Sequence, residues 1–345
     1  MRVLLTSPYG WPHVRRGAER ELHELASRLR RSGQDARVLT GSPQRLTRTG
    51  EVLGVPVRWV RVPRRPSWPE PGPGFALAAA VASLRADLVH CLHYADAYGA
   101  TRTRCPVVLK LTGTVLPERM TGLDDRLFRG AIARADEVWA NSDWAVGQMA
   151  GFGVPMRVVP AGLDTAVFRP GPARSAHPLV VCAAASSEPR KRVVDLLAAW
   201  PAVRRALPGV ELVLAGHGAP PLPEGARSVG LLDDVALAQL YARSWVVVAP
   251  AVYEALGLVT LEALSCGTPV AGVDSGATAS LVQPGVTGAL AAPLDPGSLA
   301  EAVVAAARLA HSPATPVACR AAAAAYDWEV VVPQVLAGYA RVAAR

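Results

Sequence analysis

The stretch Glu254-Ala-Leu-Gly-Leu-Val-Thr-Leu-Glu262 carries the pattern that best indicates the fold of this chain. An apolar run, Trp245 to Ala249, precedes it, and a helical pattern continues after it to Cys266 and Gly267. This order predicts a strand, a loop and a helix. A helix N-terminus offers free backbone N–H groups and a positive dipole end, which favour an anion such as phosphate.

The two glutamates of this stretch, Glu254 and Glu262, add a second requirement. Carboxylates accept hydrogen bonds from sugar hydroxyls, whereas they repel a phosphate. Gly257 lies between them and allows the backbone to approach a ligand closely. The stretch therefore predicts a ligand that joins a sugar to a phosphate.

The wider segment from Tyr253 to Val270 resembles the E-x7-E signature of retaining glycosyltransferases, and it is most similar to family 4 of the GT-B fold. The resemblance implies an α/β chain of two Rossmann-like α/β/α domains facing a central cleft, with a last helix that returns to the first domain. It also implies transfer of a sugar from a UDP- or GDP-linked nucleotide-diphosphate sugar to an acceptor nucleophile, with the anomeric configuration retained by a front-face mechanism.

Composition sets the broad class of the protein. With 345 residues, of which 51% are hydrophobic, the chain suits two domains of ordinary size. No apolar run approaches the roughly 20 residues that span a bilayer, and the first residues lack the pattern of a signal peptide, so we expect a cytoplasmic protein. Five scattered cysteines suggest neither a zinc site nor a disulfide framework. No Asp-x-Asp occurs, and we expect no metal and no cofactor besides the sugar nucleotide.

The net charge of +8 is compatible with an anionic partner. No basic run with interleaved aromatic residues suggests a nucleic-acid groove, so we expect no nucleic-acid partner. The basic segment from Arg58 to Trp68 fits either an exposed loop or a surface that contacts an anionic acceptor or a membrane. The sequence indicates no oligomeric state.

Apolar strands alternate with helical patterns in both halves of the chain, which favours parallel sheets covered by helices. A segment rich in Pro, Gly and small residues, Asp164 to Pro178, reads as a linker. We predict an acceptor domain at residues 1–170, a donor domain at 171–327 and a returning helix at 328–345. The predicted strands are Val3–Thr6, Ala36–Thr40, Val57–Val62, Leu88–Leu92, Val107–Leu111, Glu137–Ala140, Arg157–Val159, Leu179–Ala183, Leu212–Ala215, Val246–Ala249 and Val270–Gly272.

Lys191 is similar to the lysine of the family's Arg-x4-Lys element, whose two cations grip the nucleotide diphosphate. Ser186 stands at the arginine position, which leaves Arg190 or Arg192 to supply the second charge, because a guanidinium can grip a phosphate with two hydrogen bonds. The alternative is a basic first turn on a solvated helix.

The resemblance also implies a set of donor contacts. Glu254 would hold the hydroxyls of the donor sugar and Glu262 those of the ribose. Backbone amides near Gly257 would meet the phosphates, and a Gly-x-Gly turn and a following loop would line the nucleotide. The residues of these last three elements are Leu256, Gly257, Leu258, Gly216 and Leu232.

The first domain carries the remaining candidates. The loop from Ser7 to Arg20 is similar to the family's glycine-rich N-terminal loop, in which Arg16 replaces one glycine and Gly17 would lie near the donor phosphate and the acceptor. Thr112 stands where relatives often have a histidine; its hydroxyl cannot act as an acid or base, but it can hydrogen-bond a substrate. We assign Thr112 to the reaction, together with Glu254 and Lys191. Tyr9 and His93 are candidate acceptor contacts, although a lone histidine is more often structural.

Two alternatives follow from the departures at Ser186 and Thr112. One is a catalytically silent protein that binds a nucleotide sugar. The other is a relative with another activity, such as an epimerase or a phosphorylase. A phosphorylase would be longer and would need a lysine for pyridoxal phosphate, for which the chain offers no evident context.

Overall fold

The computed structural model describes residues 1–14, 17–42, 47–62, 72–113, 122–218 and 220–344. It divides into two compact units, one formed by Met1–Gly162 with Glu329–Arg345 and the other by Leu163–Trp328. Arg16, and residues 63–68 of the basic segment, lie outside the described residues.

The first division falls before the predicted position at residue 170, because the start of the predicted linker packs on the second unit. The Leu163 N–H donates to the Tyr326 carbonyl at 2.7 Å. Phe168 is buried, and its carbonyl accepts from the Ser265 hydroxyl at 2.5 Å. The first eight residues after Gly162 therefore belong to the second unit.

The first unit is built on an eight-stranded sheet with the order β3-β4-β2-β1-β5-β6-β7-β8. Neighbouring strands are parallel except for β3 and β4, which pair antiparallel. Its strands are β1 (Arg2–Ser7), β2 (Asp35–Ser42), β3 (Arg48–Val52), β4 (Val55–Arg61), β5 (Leu88–Cys91), β6 (Val107–Leu111), β7 (Glu137–Ala140) and β8 (Met156–Val158). Its helices are α1 (Gly17–Arg31), α2 (Gly72–Ser83), α3 (Tyr94–Ala100), α4 (Gly122–Ile132) and α5 (Asp143–Gln148).

The second unit is built on a six-stranded parallel sheet with the order β11-β10-β9-β12-β13-β14. Its strands are β9 (Leu179–Ala183), β10 (Glu211–Ala215), β11 (Ala226–Gly230), β12 (Val246–Ala249), β13 (Val270–Val273) and β14 (Gly288–Ala291). Its helices are α6 (Val193–Ala206), α7 (Asp234–Arg243), α8 (Leu258–Ser265), α9 (Thr278–Leu281), α10 (Pro296–Leu309) and α11 (Ala314–Ala324). Apolar side chains of α6 and α10 pack on the central strands and form the core of this unit.

A buried ion pair joins α1 to β6 in the first unit. The Lys110 ammonium donates to the Glu21 carboxylate, and both side chains are at most 3% exposed. Burial lowers the pKa of Lys110, and the charge of Glu21 opposes that shift. Because α1 begins at Gly17 and Thr112 follows β6, this pair fixes the two elements that present these candidate residues.

The last helix, α12 (Trp328–Ala343), packs on the first unit. The Tyr339 hydroxyl lies 2.7 Å from Nδ1 of His90 on β5, and its ring stacks on Trp139 of β7. Gly338 permits this contact, because a β-carbon built there would lie 2.2 Å from the Trp139 ring. Arg341 adds a hydrogen bond of 3.0 Å to the buried Glu137 carboxylate. The predicted return of the last helix is confirmed.

Within the described residues, no helix is long and apolar enough to cross a membrane. The cysteines Cys91, Cys105, Cys182, Cys266 and Cys319 are all free thiols.

We expect Lys110→Met to destabilise the protein by about 3–5 kcal/mol, because it leaves the Glu21 carboxylate buried without its partner. Urea-induced unfolding followed by circular dichroism measures the loss. The double variant Glu21→Leu/Lys110→Met removes both charges and should recover a large part of the stability. Equal destabilisation by the single and double variants would show that packing, rather than the charge pair, dominates at this position.

Candidate functional site

The candidate residues of the second unit lie where strand order reverses in its sheet. Strands β10 and β12 both neighbour β9, and the chain runs outward from β9 in opposite directions. At such a switch point the loops after the two adjacent strands separate and leave a crevice at the carboxyl edge of the sheet. Lys191 follows β9 and Glu254 follows β12. The topology therefore brings these two predicted residues to one place.

Two cations converge there on one carboxylate oxygen. The Lys191 ammonium lies 2.8 Å from Oε1 of Glu254, and the Arg190 guanidinium lies 3.0 Å from the same oxygen. All three side chains are partly accessible to solvent. A second carboxylate, Glu188, lies 3.8 Å from the Arg190 guanidinium, so the two cations and two carboxylates are formally balanced. The two cations nevertheless offer charged hydrogen-bond donors to an anionic ligand.

Arg192, the other candidate for the second cation, is occupied elsewhere. Its guanidinium makes two hydrogen bonds to Asp195, at 2.8 and 2.6 Å. Its backbone is left-handed, with φ of 51°. The three consecutive basic residues therefore have different partners: Arg190 and Lys191 bond to Glu254, and Arg192 bonds to Asp195.

The backbone around Glu254 is held closely. The Val252 N–H donates to the Arg190 carbonyl at 3.2 Å, and the Ala277 N–H donates to the Glu254 carbonyl at 2.8 Å. A β-carbon built on Gly276 would lie 2.5 Å from the Glu254 nitrogen, so only glycine fits. Tyr253 is left-handed, with φ of 58°, which is an uncommon conformation for a bulky residue.

Helix α8 begins at Leu258, inside the stretch that carries the two glutamates. The reason is Gly257, whose φ of 85° places it outside the helix as its N-cap residue. Glycine has no side chain that could accept a hydrogen bond from the first N–H groups of the helix. Among the described residues, no side chain caps these groups. The N-terminus of α8 therefore keeps the anion-binding capacity that the sequence predicts.

Glu262 lies one turn further along α8 and is 3% exposed. The Tyr241 hydroxyl of α7 donates to its Oε2 at 3.4 Å. The sequence did not indicate Tyr241, because its partner is 21 residues away and on another helix.

The Gly-x-Gly turn after β10 packs directly on the loop after β9. Gly216 has φ of 130°, and a β-carbon built there would lie 2.3 Å from the Ala184 carbonyl. The Ser186 hydroxyl and amide both donate to the His217 carbonyl. Ser186, which stands at the family's arginine position, is thus used to join these two loops.

A small pocket lies under this turn and includes Cys182 and Ser228 in its lining. Burial raises the pKa of the Cys182 thiol to about 12, so it stays protonated near neutral pH and is no nucleophile. Leu232, the predicted nucleobase contact, is half-buried in the loop between β11 and α7.

The first unit shows the same arrangement. Strands β2 and β5 both neighbour β1, so its sheet reverses direction between β1 and β5. Tyr9 follows β1 and His93 follows β5, and their rings meet edge to face with centroids 6.0 Å apart. His93 also caps α3, since the Ala95 N–H donates to its Nδ1 at 3.2 Å.

The other two candidates of the first unit are Gly17 and Thr112. Gly17 is the first residue of α1. Thr112 is half-buried directly after β6, and its carbonyl accepts from the Asn141 side-chain amide at 3.0 Å. In the part of the chain that the structure describes, no group of three or more His, Cys, Asp or Glu side chains is arranged to hold a metal ion.

Both halves of the chain match family models of glycosyltransferases. Residues 15–167 match the family model Glycosyltransferase Family 4, and residues 177–308 match Glycosyl transferases group 1. The chain belongs to family 4 of the glycosyltransferases, as the resemblance implied.

Its relatives share about one third of the aligned residues. Phosphatidyl-myo-inositol mannosyltransferase of Propionibacterium freudenreichii is 31% identical over 234 residues, which are 67% of this chain and 60% of that protein. D-inositol 3-phosphate glycosyltransferase of Mycobacterium tuberculosis is 34% identical over an alignment of 215 residues that covers 53% of this chain and 43% of that protein. The chain thus spans less than two thirds of the length of these curated relatives.

Solved structures agree with the fold. Sucrose-phosphate synthase from Thermosynechococcus elongatus has a TM-score of 0.83 at 20% identity, covering 99% of each chain. Anabaena HepE, solved with UDP, has a TM-score of 0.79 at 20% identity, covering 99% of this chain and 100% of that one. The predicted GT-B class, with two α/β domains built on parallel sheets, is confirmed; the antiparallel edge strand β3 is the exception to the expected parallel pairing.

Gly276→Ala should lower the melting temperature more than Gly285→Ala. Both glycines have positive φ, 67° and 76°, but a β-carbon meets nothing within 4 Å at Gly285 and meets the Glu254 backbone at Gly276. We expect a loss of about 1 kcal/mol for Gly285→Ala and about 3 kcal/mol or more for Gly276→Ala. Equal shifts in differential scanning calorimetry would contradict the close contact.

Proposed function

We propose that the chain is a retaining glycosyltransferase that transfers a sugar from a nucleotide-diphosphate sugar to an acceptor nucleophile. The observation that carries this proposal is the convergence of Arg190 and Lys191 on Glu254 at the switch point of the second sheet. Cations are suited to a diphosphate and a carboxylate to sugar hydroxyls, and here they are in contact.

The proposed donor site lies in the second unit. Arg190 and Lys191 bind the diphosphate, together with backbone amides of Leu256, Gly257 and Leu258. Glu254 accepts hydrogen bonds from hydroxyls of the donor sugar, and Glu262 accepts them from the ribose. Gly216 and Leu232 line the nucleotide.

The proposed reaction needs stabilisation of a leaving diphosphate. Preorganised cations and a helix N-terminus offset negative charge as it develops, without a metal ion. The departing phosphate accepts the proton of the acceptor hydroxyl on the same face, and the new bond forms on that face, so the configuration is retained. Thr112 holds a substrate by a hydrogen bond from its hydroxyl, since a threonine hydroxyl cannot act as an acid or a base near neutral pH.

The acceptor is proposed to contact the first unit at Gly17, Tyr9 and His93, where an aromatic edge and an imidazole meet. The names of the two relatives favour an inositol or inositol phosphate as the first acceptor class to test. UDP- and GDP-linked sugars are both candidate donors, and the UDP bound by HepE favours testing uridine first.

A catalytically silent donor-binding protein is the second candidate. Ser186 favours it, because the serine joins two loops where the family has a diphosphate-binding arginine. Turnover separates the two: an enzyme releases free sugar slowly from its donor without an acceptor and faster with one, whereas a silent protein binds the donor and leaves it intact.

Lys191→Ala should weaken binding of the preferred nucleoside diphosphate by about 1.5–3 kcal/mol, the free energy of a hydrogen bond to a charged group. Isothermal titration calorimetry measures the affinity. Arg192→Ala is the matched control, because that guanidinium is bonded to Asp195 and should not contribute. Loss of affinity in the control alone, or in neither variant, would remove Lys191 from the donor site.

The product should keep the anomeric configuration of the donor in an assay run with EDTA throughout. Front-face transfer predicts retention, and the cations of the second unit replace a metal in offsetting the charge of the leaving group. NMR of the product at the anomeric centre gives the configuration. An inverted product would reject the mechanism, and activity that appears only when magnesium or manganese replaces EDTA would reject metal independence.

A further inference from the structure

Helix α8 contains a buried hydroxyl that the proposed donor contacts do not use. Thr260 is 0% exposed, and its Oγ1 has no hydrogen-bond partner among the described residues. A buried hydroxyl without a partner destabilises a protein, and native structures contain few of them. Its presence beside the candidate site therefore requires a physical reason.

The hydroxyl lies on the N-terminal side of its helix. Thr260 is the third residue of α8, and the Cα–Cβ bonds of a helix tilt toward its N-terminus. A β-carbon built on Gly257 would lie 3.6 Å from the Thr260 Oγ1 and 3.2 Å from the Thr278 Oγ1. Two threonine hydroxyls thus surround the glycine that precedes the helix.

The surroundings favour an anion as the missing partner. The first N–H groups of α8 have no side-chain cap within the described part of the chain. Three residues before Gly257, the Glu254 carboxylate holds two cations. A neutral hydroxyl at a helix N-terminus can donate a hydrogen bond to an oxyanion and adds no charge to the site.

We propose that Thr260 binds the donor directly, by donating a hydrogen bond from its hydroxyl to a phosphate oxygen of the nucleoside diphosphate. The inference rests on the proposed function and extends it, since it adds a side-chain contact to the backbone amides at this helix end. Thr260 is then unpartnered only while the ligand is absent.

The proposal predicts that one substitution, Thr260→Val, lowers the affinity for the nucleotide without lowering the melting temperature of the free protein. Thr260→Val keeps the shape of the side chain and removes the hydroxyl. Without ligand, the melting temperature should rise or stay the same, because an unpartnered buried hydroxyl is lost. The affinity for UDP or GDP, whichever the wild type binds more tightly, should fall about tenfold. Thr260→Ser keeps a hydroxyl and should bind within about threefold of the wild type.

Thr40 provides the matched control. Its Oγ1 is also buried and without a partner, but it lies on β2 in the first unit. Thr40→Val should therefore alter the melting temperature in the same direction as Thr260→Val and leave nucleotide affinity unchanged. Calorimetric titration with UDP and GDP, and scanning calorimetry without ligand, supply both readouts.

The outcomes separate this inference from the proposed function. If the wild type binds neither UDP nor GDP, the proposed donor site itself is rejected. If the wild type binds and Thr260→Val binds equally well, only the role of Thr260 is rejected. If Thr260→Val melts at a lower temperature without ligand, the hydroxyl has a partner in the free protein, such as a buried water, and the inference is also overturned.

Discussion

The reversal of strand order between β9 and β12 is the constraint on which the candidate donor site depends. In a parallel sheet, the loop after each strand leaves toward the side of its next strand, and the two loops separate only at the reversal. Lys191 and Glu254 are placed there by topology, although 62 residues separate them in the chain. The contacts of Arg190 and Lys191 with Glu254 then join the loop after β9 to the loop after β12.

The sequence predicted the central strands well and the edges poorly. Val107–Leu111 and Leu179–Ala183 were predicted at their observed bounds, because a strand buried on both faces reads as a continuous apolar run. The strands β3, β11 and β14 were not predicted. Two of them, Arg48–Val52 and Ala226–Gly230, are edge strands in which no residue is fully buried. Their residues are mostly charged or small, so neither strand contains an apolar run that would predict it. Helix α11 was also missed, since a run of alanines has no clear periodicity.

For the site, the sequence indicated the residue types but not their contacts. The motif around Glu254 and the basic turn at Lys191 were visible, yet their pairing depends on the order of strands. Gly276 and Tyr241 could not be found, because one acts through the space it leaves for the Glu254 backbone and the other through a hydroxyl on a separate helix. The sequence also could not show that Arg190 contacts Glu254 whereas Arg192 contacts Asp195.

Which of the two arginines contacts Glu254 follows from backbone conformation rather than from side-chain chemistry. Arg192 adopts φ of 51° between the short turn at Lys191 and the start of α6, and this reversal directs it to Asp195. Tyr253, beside Glu254, is left-handed as well. Left-handed non-glycine residues cost energy and persist where surrounding contacts determine them, often at functional sites. Here two such residues lie near the ion pair, one on each loop, and the two loops are joined by the hydrogen bond from the Val252 N–H to the Arg190 carbonyl. The strained residues thus lie where one loop presents cations and the other presents a carboxylate. In the proposed function, the cations bind the phosphates of the donor and the carboxylate binds its sugar.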